Sequence, residues 1–270
     1  MAIITISRGS YSMGKKVAEK VAGRLGYECI SREVLLEASE YFKIPEIKLL
    51  KAIHDAPSIL NRISGGKQKY IVYILSAFAD RITKNNVVYH GLAGHLLLAD
   101  VAHALKVRII ANFDYRVGLV EKRDNILRNE ASSILKKDDH ERQNWTKSLY
   151  KVDSADSSLY DLVININKLT VDHAVDFICQ AATYKELEAT ESSLHKVKDL
   201  ALAYRIKSAF LKDGFDVSVT SDYGNVLLYT KGSDRSIQKL KKIAKSLDGK
   251  IKGMNNIEIH SGLPFPTNAV

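Results

Sequence analysis

The first sixteen residues hold glycines, hydroxyls and lysines whose types and spacing suit phosphate binding. After the apolar segment Ile3–Ile6 the chain reads Ser7-Arg8-Gly9-Ser10-Tyr11-Ser12-Met13-Gly14-Lys15-Lys16. Gly9, four intervening residues, Gly14 and Lys15 have the spacing of a phosphate-binding loop. Glycines let the backbone wrap around phosphate oxygens, and the N-terminus of a following helix favours an anion.

This loop predicts a site for nucleotide phosphates between a strand and a helix. The predicted contacts are Gly9, Ser10, Tyr11, Ser12, Met13, Gly14, Lys15 and Lys16. Lys15 adds a mobile positive charge for the outer phosphates. Lys16 departs from the usual pattern, in which a serine or threonine hydroxyl at that position holds Mg²⁺. The alternative is a glycine- and serine-rich turn without a ligand; the strand before the loop and the helix after it favour the nucleotide.

Composition limits the class of protein. The 270 residues, of which 46% are hydrophobic, suffice for one large domain or two smaller ones with packed cores. The two cysteines and eight histidines lack ligand spacing, so no metal site is predicted. The sequence has no apolar run long enough to span a bilayer, and its N-terminal apolar run is too short for a signal peptide. A cytoplasmic protein is therefore expected.

The net charge of +9 makes anionic partners plausible: nucleotides, nucleic acid or a membrane surface. The basic residues are spread along the chain, without an arginine-rich arm or an RNA-reading aromatic motif. Nucleotides are the favoured partners, and nucleic acid stays a minor alternative.

Apolar strand patterns alternate with helical patterns over residues 1–185, which predicts an α/β fold with a parallel sheet. The predicted strands are 3–6, 27–30, 87–89, 107–111 and 162–166, and the predicted helices include 17–26, 70–82, 96–104, 115–129 and 171–182. The segment 132–158 is polar and rich in charge and serine.

The pattern changes after residue 185, where a second and smaller α/β domain is predicted. A linker is expected over 186–195, the domain over 196–262 and a mobile tail over 263–270. Within the domain the pattern reads helix, strand, strand, helix, strand, with a tight turn at 222–225.

Several segments of residues 1–185 resemble one known family in their order. They are Ile3–Arg8, the glycine loop, the helix Val17–Leu25, Ser31-Arg32-Glu33, the run Tyr160–Asn165, Lys168-Leu169 and the helix around Ala174. In this order they resemble the cytidylate kinase-like family of nucleoside monophosphate kinases. The resemblance implies a P-loop kinase-like parallel sheet flanked by helices, and transfer of phosphate from ATP to a nucleoside monophosphate, with CMP or dCMP as acceptor.

The resemblance also implies roles for single residues. Lys15, Arg123 and Arg142 are expected to be catalytic, stabilising the charge on the transferred phosphoryl group. Arg32, Lys137 and Asp139 are expected to bind the substrate; Lys137, Asp139 and Arg142 match a Lys-x-Asp-x-x-Arg pattern of relatives. The segment 132–158 is then a lid that closes over the phosphates. Surface positions on a helix are the alternative for Arg123, Arg142 and Lys137, and a helix cap for Asp139.

Three departures from the family pattern bear on activity. Lys16 replaces the hydroxyl that holds Mg²⁺, and Ser31 stands where relatives often have aspartate. The run His90-Gly91-Leu92-Ala93-Gly94-His95 lacks the arginine of the Gly-Arg-Gly-Ala that follows the central strand in relatives. Mg²⁺ is still the expected companion of ATP, although its usual ligand is absent.

The second domain resembles a BON domain, a small bacterial α/β unit linked with phospholipid or other ligands. The helix from Leu200, the turn over 222–225, the helix from Ile237 and Gly249 carry this resemblance. It implies a sensing or tethering role and an anionic ligand or lipid as a partner. The sequence thus predicts a nucleoside monophosphate kinase; the alternatives are a catalytically weak, nucleotide-binding regulator acting through the BON-like domain, and an adaptor for anionic membranes or nucleic acid.

Overall fold

The computed structural model describes residues 2–31, 33–49, 68–91, 93–262, 265–266 and 269–270. In chain order its main elements are β1 (Ile3–Arg8), α1 (Gly14–Leu25), β2 (Glu28–Ile30), α2 (Glu33–Phe42), α3 (Gln68–Ile82), β3 (Val87–Tyr89), α4 (Gly94–Leu97), β4 (Ala104–Ala111), α5 (Phe113–Asp124), α6 (Arg128–Tyr150), β5 (Leu162–Ile166), α7 (Val171–Ala181), α8 (Glu191–Lys212), β6 (Ser218–Asp222), β7 (Asn225–Thr230), α9 (Asp234–Leu247) and β8 (Asn256–Ser261). The described residues of Met1–Glu33 and Lys84–Thr190 form one compact unit, and those of Val34–Ile53, Arg62–Thr83 and Glu191–Val270 form another.

The first unit is built on a five-stranded parallel sheet in the order β2-β3-β1-β4-β5. β1 lies in the centre, where Ile3 pairs with Val87 of β3 on one side and with Ala104 of β4 on the other. Ile3, Ile4 and Ile6 are fully buried, as expected of a strand covered on both faces. The predicted α/β fold with a parallel sheet flanked by helices is confirmed.

Helix α1 packs in the core beside the sheet because one face of the helix is apolar. Val17, Ala18, Val21 and Ala22 are buried in the core that the strands and α7 share. Gly26 ends the helix in the left-handed conformation, φ 68°, which suits glycine.

Two helix predictions are wrong in this unit. Residues 96–104 were expected to be helical, but α4 ends at Leu97 and Ala104 already belongs to β4, because its backbone pairs with β1. The single helix expected over 115–129 is two helices, separated where Asn125 adopts φ 53°. The second of them, α6, extends through most of the polar segment 132–158.

The second unit has a three-stranded sheet in the order β6-β7-β8, with β6 antiparallel and β8 parallel to β7. The predicted hairpin is confirmed: its turn holds Gly224 at φ 80°, where an added Cβ would lie 2.5 Å from the carbonyl oxygen of Gly253. α8 begins at Glu191, so the chain is already helical in the stretch for which the sequence indicates a linker. Helix α3 packs on α8 within this unit.

The last described residue is held on the second sheet. Val270 exchanges two backbone hydrogen bonds with Val219 of β6 and packs against the core of this unit. This contact joins residue 270 to the second unit, and the mobility of the tail over 263–270 stays a prediction. No helix among the described residues is long and apolar enough to cross a membrane.

Candidate functional site

The loop between β1 and α1 is anchored to the carboxyl end of β4. The backbone N–H of Gly9 donates to the carbonyl of Ile109, and the hydroxyl of buried Ser12 lies 2.9 Å from that same carbonyl oxygen. Tyr11 and Met13 adopt left-handed conformations, with φ 57° and 66°. The loop is therefore wound back on itself and fixed to the strand beside it, as a cradle for an anion requires.

The first turn of α1 faces this loop without a side-chain cap. Its N-cap residue, Met13, makes no side-chain hydrogen bond to the turn, and the Val17 N–H donates to the Met13 carbonyl at 3.0 Å. The first N–H groups of a helix need an acceptor and carry its positive partial charge. This geometry fits a bound phosphate.

A cavity of about 570 Å³ opens beside the loop, at the carboxyl ends of β1 and β4. Its walls include Arg8 at the end of β1, Gly9 of the loop, the end of β4 at Ala111, and residues of α6. Ligands of open α/β sheets bind at the carboxyl ends of the strands. The cavity therefore lies where the fold predicts a ligand.

The cavity is strongly cationic. Among the described residues that line it, the permanently charged cations are Arg8, Arg108, Arg116, Lys136 and Arg142, and the acids are Asp139 and Asp153. Burial, and then the neighbouring charge of Arg142, lowers the pKa of Arg8. Cations forced this close together in a partly buried site favour binding of a polyanion such as a nucleotide.

Polar side chains of helix α6 contact the phosphate loop at Ser10. The Ser10 N–H donates to Asp139 Oδ1 at 3.2 Å, and Arg142 Nε donates to the Ser10 hydroxyl at 3.1 Å. Arg116 of α5 completes the contact: its Nη1 donates to Asp139 Oδ2 at 2.7 Å and to the Ser10 carbonyl at 3.1 Å. The segment 132–158 thus contacts the loop through Asp139 and Arg142, and Arg116 of α5 joins them.

The hydroxyl of Tyr160 joins three walls of the cavity. It lies 3.2 Å from Arg108 Nη1, which donates to it, and 3.1 Å from His95 Nε2. It also lies 3.0 Å from the carbonyl oxygen of Ser154, to which it donates. Burial, followed by the charges of Arg108 and Lys106, lowers the pKa of His95 to about 4. His95 is therefore neutral near pH 7 and adds no charge to the site.

The structure brings some of the predicted site residues together. The loop Gly9–Lys16 joins β1 to α1, and Asp139 and Arg142 contact it at Ser10. Arg123 lies with its guanidinium carbon 4.5 Å from the ring centre of Tyr11 and pairs with Asp124 at 2.5 Å.

Other predicted residues lie away from the cavity. The side chain of Lys15 is 65% exposed and lies 3.6 Å from Glu19, and Lys16 is exposed. Lys137 is also exposed and lies 4.0 Å from Glu141. Arg32 lies outside the described residues.

Sequence reasoning did not assign four cations of the cavity to the site: Arg8, Arg108, Arg116 and Lys136. Arg108 lies on β4, and Arg116 lies one helical turn beyond the end of that strand. Their position in the sequence, at and just after a predicted strand, could have indicated them, because ligands of open parallel sheets bind at the carboxyl ends of the strands.

A comparison with models of known protein families assigns the chain to one of them. The model of the cytidylate kinase-like family matches residues 3–168, more than half of the 270 residues. The chain belongs to the cytidylate kinase-like family. This membership makes the protein a nucleoside monophosphate kinase-like enzyme with a nucleotide-binding P-loop fold. No curated protein matches the chain.

A solved structure is similar in fold to this cytidylate kinase-like protein. An uncharacterized protein from Eubacterium ventriosum is 22% identical with a TM-score of 0.51, and the match covers 68% of this chain and all of that one. At this identity the likeness shows the fold alone. Shikimate kinase from Bacteroides thetaiotaomicron is 9% identical with a TM-score of 0.43, over 68% of this chain and 99% of that one.

The site fits the phosphates of ATP better than it fits a metal ion by itself. Among the described residues, no group of three or more histidine, cysteine, aspartate or glutamate side chains is placed to hold a metal. The loop hydroxyls of Ser10 and Ser12 already take part in hydrogen bonds within the protein. Mg²⁺ bound with a nucleotide often depends on the substrate phosphates and on water, and that mode suits these residues.

Proposed function

We propose that this enzyme transfers the γ-phosphoryl group of ATP to a nucleoside monophosphate, with CMP or dCMP as the acceptor. The observation that carries the proposal is the cationic cavity of about 570 Å³ that borders the phosphate loop. Phosphoryl transfer depends on positioned cations and exclusion of water more than on a covalent catalyst. A cavity lined by several arginines and bounded by a lid helix supplies both.

The proposed roles follow from where each group lies. The uncapped first turn of α1 and the loop Gly9–Lys16 hold the donor phosphates. Lys15, at the start of α1, turns from Glu19 to the outer phosphates, a movement that its flexible stem and exposed position allow. Arg142 and Arg123 act from the lid side, since both already contact the loop, at Ser10 and at Tyr11. Mg²⁺, when bound with ATP, neutralises charge on the phosphates.

Helix α6 is proposed as the lid. It carries Lys137, Asp139 and Arg142, and the last two point to the loop from positions three residues apart on one helix face. Arg32, Lys137 and Asp139 are proposed to contact the acceptor once it is bound, as the family resemblance implies. A lid of this kind excludes water and completes the cation set when it closes.

A second candidate is a catalytically weak regulator that binds nucleotide and acts through the second unit. Lys16 in place of the usual hydroxyl, and the ion pair of Lys15 with Glu19, favour it. We propose that the BON-like domain senses or tethers, with an anionic ligand or lipid at the lysines of α9: Lys239, Lys241, Lys242 and Lys245. The expected location of either protein is the cytoplasm.

Phosphoryl transfer measured across acceptors separates the two candidates. The full chain is assayed with ATP and Mg²⁺ and with CMP, dCMP, UMP, AMP or GMP, beside Lys15→Ala. Lys20→Ala, on the same helix but paired with Asp172, is the matched control. Turnover of CMP or dCMP, lost in Lys15→Ala and kept in Lys20→Ala, supports the kinase. Binding of ATP without turnover of any acceptor supports the regulator instead.

A further inference from the structure

The carboxylate of Asp139 occupies the phosphate loop as an anion would. One oxygen accepts the backbone N–H of Ser10 at 3.2 Å, and the other accepts Arg116 Nη1 at 2.7 Å. Phosphate oxygens bound to proteins commonly accept hydrogen bonds from loop N–H groups and from arginine side chains. The acid therefore lies on donors that suit the phosphate group of a ligand.

Further donors surround this carboxylate. Arg142 Nε lies 3.1 Å from the hydroxyl of Ser10, the residue whose N–H donates to Asp139. Arg116 Nε is buried and has no hydrogen-bond partner among the described residues. A buried, unpaired donor costs free energy unless a ligand satisfies it. The guanidinium groups thus have more donors than the single carboxylate uses.

We infer that the Ser10 N–H, Arg116 and Arg142 form a phosphate subsite, and that Asp139 fills it until the phosphate group of a ligand displaces the carboxylate. This inference rests on the proposed function, because the ligand is the phosphate of a bound nucleotide. It adds Arg116 to the binding residues. It also gives Asp139 a second role, as a competitor of phosphate in the ligand-free protein.

Exposure indicates which partner leaves. The side chain of Arg116 is only 12% exposed and also donates to the Ser10 carbonyl, whereas that of Asp139 is 34% exposed. The guanidinium carbon of Arg116 lies 5.7 Å from the ring centre of Phe113, a second contact that fixes it. The arginine stays in the subsite, and the carboxylate exchanges with the phosphate oxygens.

The exchange links ligand binding to the lid. Asp139 and Arg142 lie three residues apart on α6, so both contacts to Ser10 belong to one helix face. When phosphate replaces the carboxylate, α6 loses an attraction to the loop at Asp139 and gains one through Arg142 and the bound anion. The position of the lid helix then depends on whether the subsite holds carboxylate or phosphate.

Calorimetric titration of the full chain tests the inference. Asp139→Asn removes the charge and replaces one of the two acceptor oxygens, which Ser10 N–H and Arg116 use separately, by an NH₂ donor. ATP, CMP and inorganic phosphate are titrated separately. We expect about tenfold tighter binding of at least one of them, because the carboxylate no longer competes with phosphate for the subsite. Tightening for ATP assigns the subsite to a donor phosphate, and tightening for CMP assigns it to the acceptor phosphate.

Two further variants separate local competition from a general charge effect. Glu141→Gln removes the same charge from α6 at an exposed position that pairs with Lys137, and should change the dissociation constant by less than about twofold. Arg116→Gln should weaken binding, and in the double variant the gain from Asp139→Asn should disappear, because the two side chains act at one subsite.

Four results would overturn the inference. Unchanged affinity in Asp139→Asn, with phosphoryl transfer intact, overturns it and leaves the proposed function standing. Equal tightening in Glu141→Gln does the same. Absence of binding to every variant and to the parent protein overturns both. If Asp139→Asn lost its melting transition, Asp139→Ala would replace it; failure of both to fold also contradicts an exchangeable contact.

Discussion

Gly14 and Arg8 contact each other across the phosphate loop: a β-carbon added to Gly14 would lie 2.7 Å from the β-carbon of Arg8. Arg8 lines the cationic cavity, and Gly14 begins α1. Only glycine lets the first helical turn approach the end of β1 this closely. The position of α1 relative to β1 therefore depends on the absence of a side chain at residue 14.

Gly14→Ala should push the first turn of α1 away from β1 and weaken ATP binding. Overpacking of this kind typically costs about 1–3 kcal/mol, and we expect a comparable loss in binding of ATP, measured by calorimetry. Gly23→Ala is the matched control, because a β-carbon there meets no atom within 4 Å. The control should bind ATP normally and unfold at a slightly higher temperature, since alanine favours a helix. Equal affinities in the two variants would show that the contact with Arg8 does not position the loop.

Arg142→Ala should lower kcat/KM for transfer from ATP to CMP by roughly a hundredfold, the usual effect of removing one group that stabilises transition-state charge. Its Nε now contacts Ser10 of the loop, from which the guanidinium can reach a transferred phosphoryl group. Arg128→Ala removes an arginine from the same helix at a position that is 55% exposed and pairs with Asp114 and Glu121. We expect it to change kcat/KM far less, and equal losses in steady-state assays of both variants would contradict a specific role for Arg142.

His95 should make the first unit sensitive to acid. Burial lowers its pKa from 6.5 to about 4 in the folded chain. As pH falls from 6.5 towards 4, the unfolded chain binds a proton that the folded chain does not, so the free energy of unfolding falls by up to about 1.4 kcal/mol per pH unit. This stabilisation is complete above pH 6.5 and is lost on acidification.

Urea unfolding of the parent chain and His95→Asn at pH 7, 5.5 and 4.5 measures this effect. The fluorescence of Trp145, the single tryptophan of the chain and buried on α6, reports on the first unit. The difference in stability between the two proteins should shrink as the pH falls. Parallel pH curves would show that His95 takes up its proton equally in both states. His260→Asn, at an exposed position of the second unit, is the control.

Asp199 should stabilise the second unit through the hairpin turn. Its buried carboxylate accepts the Ser221 hydroxyl at 2.6 Å and the N–H groups of Tyr223 and Gly224 at 2.8 and 2.9 Å. Asp199→Asn replaces one acceptor oxygen by a donor and should cost about 1–3 kcal/mol. Amide hydrogen exchange should speed up at the hairpin; unchanged exchange there, as expected for the exposed Asp213→Asn, would contradict this role.

The sheet could be predicted from sequence because its strands are short apolar runs with clear ends. Val87–Tyr89 and Leu162–Ile166 occupy the predicted positions, and so does the hairpin around Gly224. The helix expected over 96–104 was wrong: Leu98 and Val101 have helical spacing and are buried, but both lie beyond the end of α4, and Ala104 pairs with Ile3. Pairing with a distant strand outweighed the local pattern.

Part of the candidate site could also be predicted. The glycine loop is local in sequence, and its spacing alone indicates phosphate binding. Arg108 and Arg116 could not be found in this way, because they reach the cavity only through the position of β4 next to β1. The contact between Ser10 and Asp139 joins residues 129 positions apart, and no local pattern predicts it.

The most direct test of the central claim is ³¹P NMR of the full chain mixed with ATP, Mg²⁺ and CMP. Transfer in the cationic cavity predicts that ADP and CDP appear in equal amounts, and that Arg142→Ala slows both equally. Release of ADP with inorganic phosphate, and no CDP, would show hydrolysis without transfer to the acceptor. An unchanged spectrum with CMP and with dCMP would contradict the kinase for these acceptors and favour the nucleotide-binding regulator.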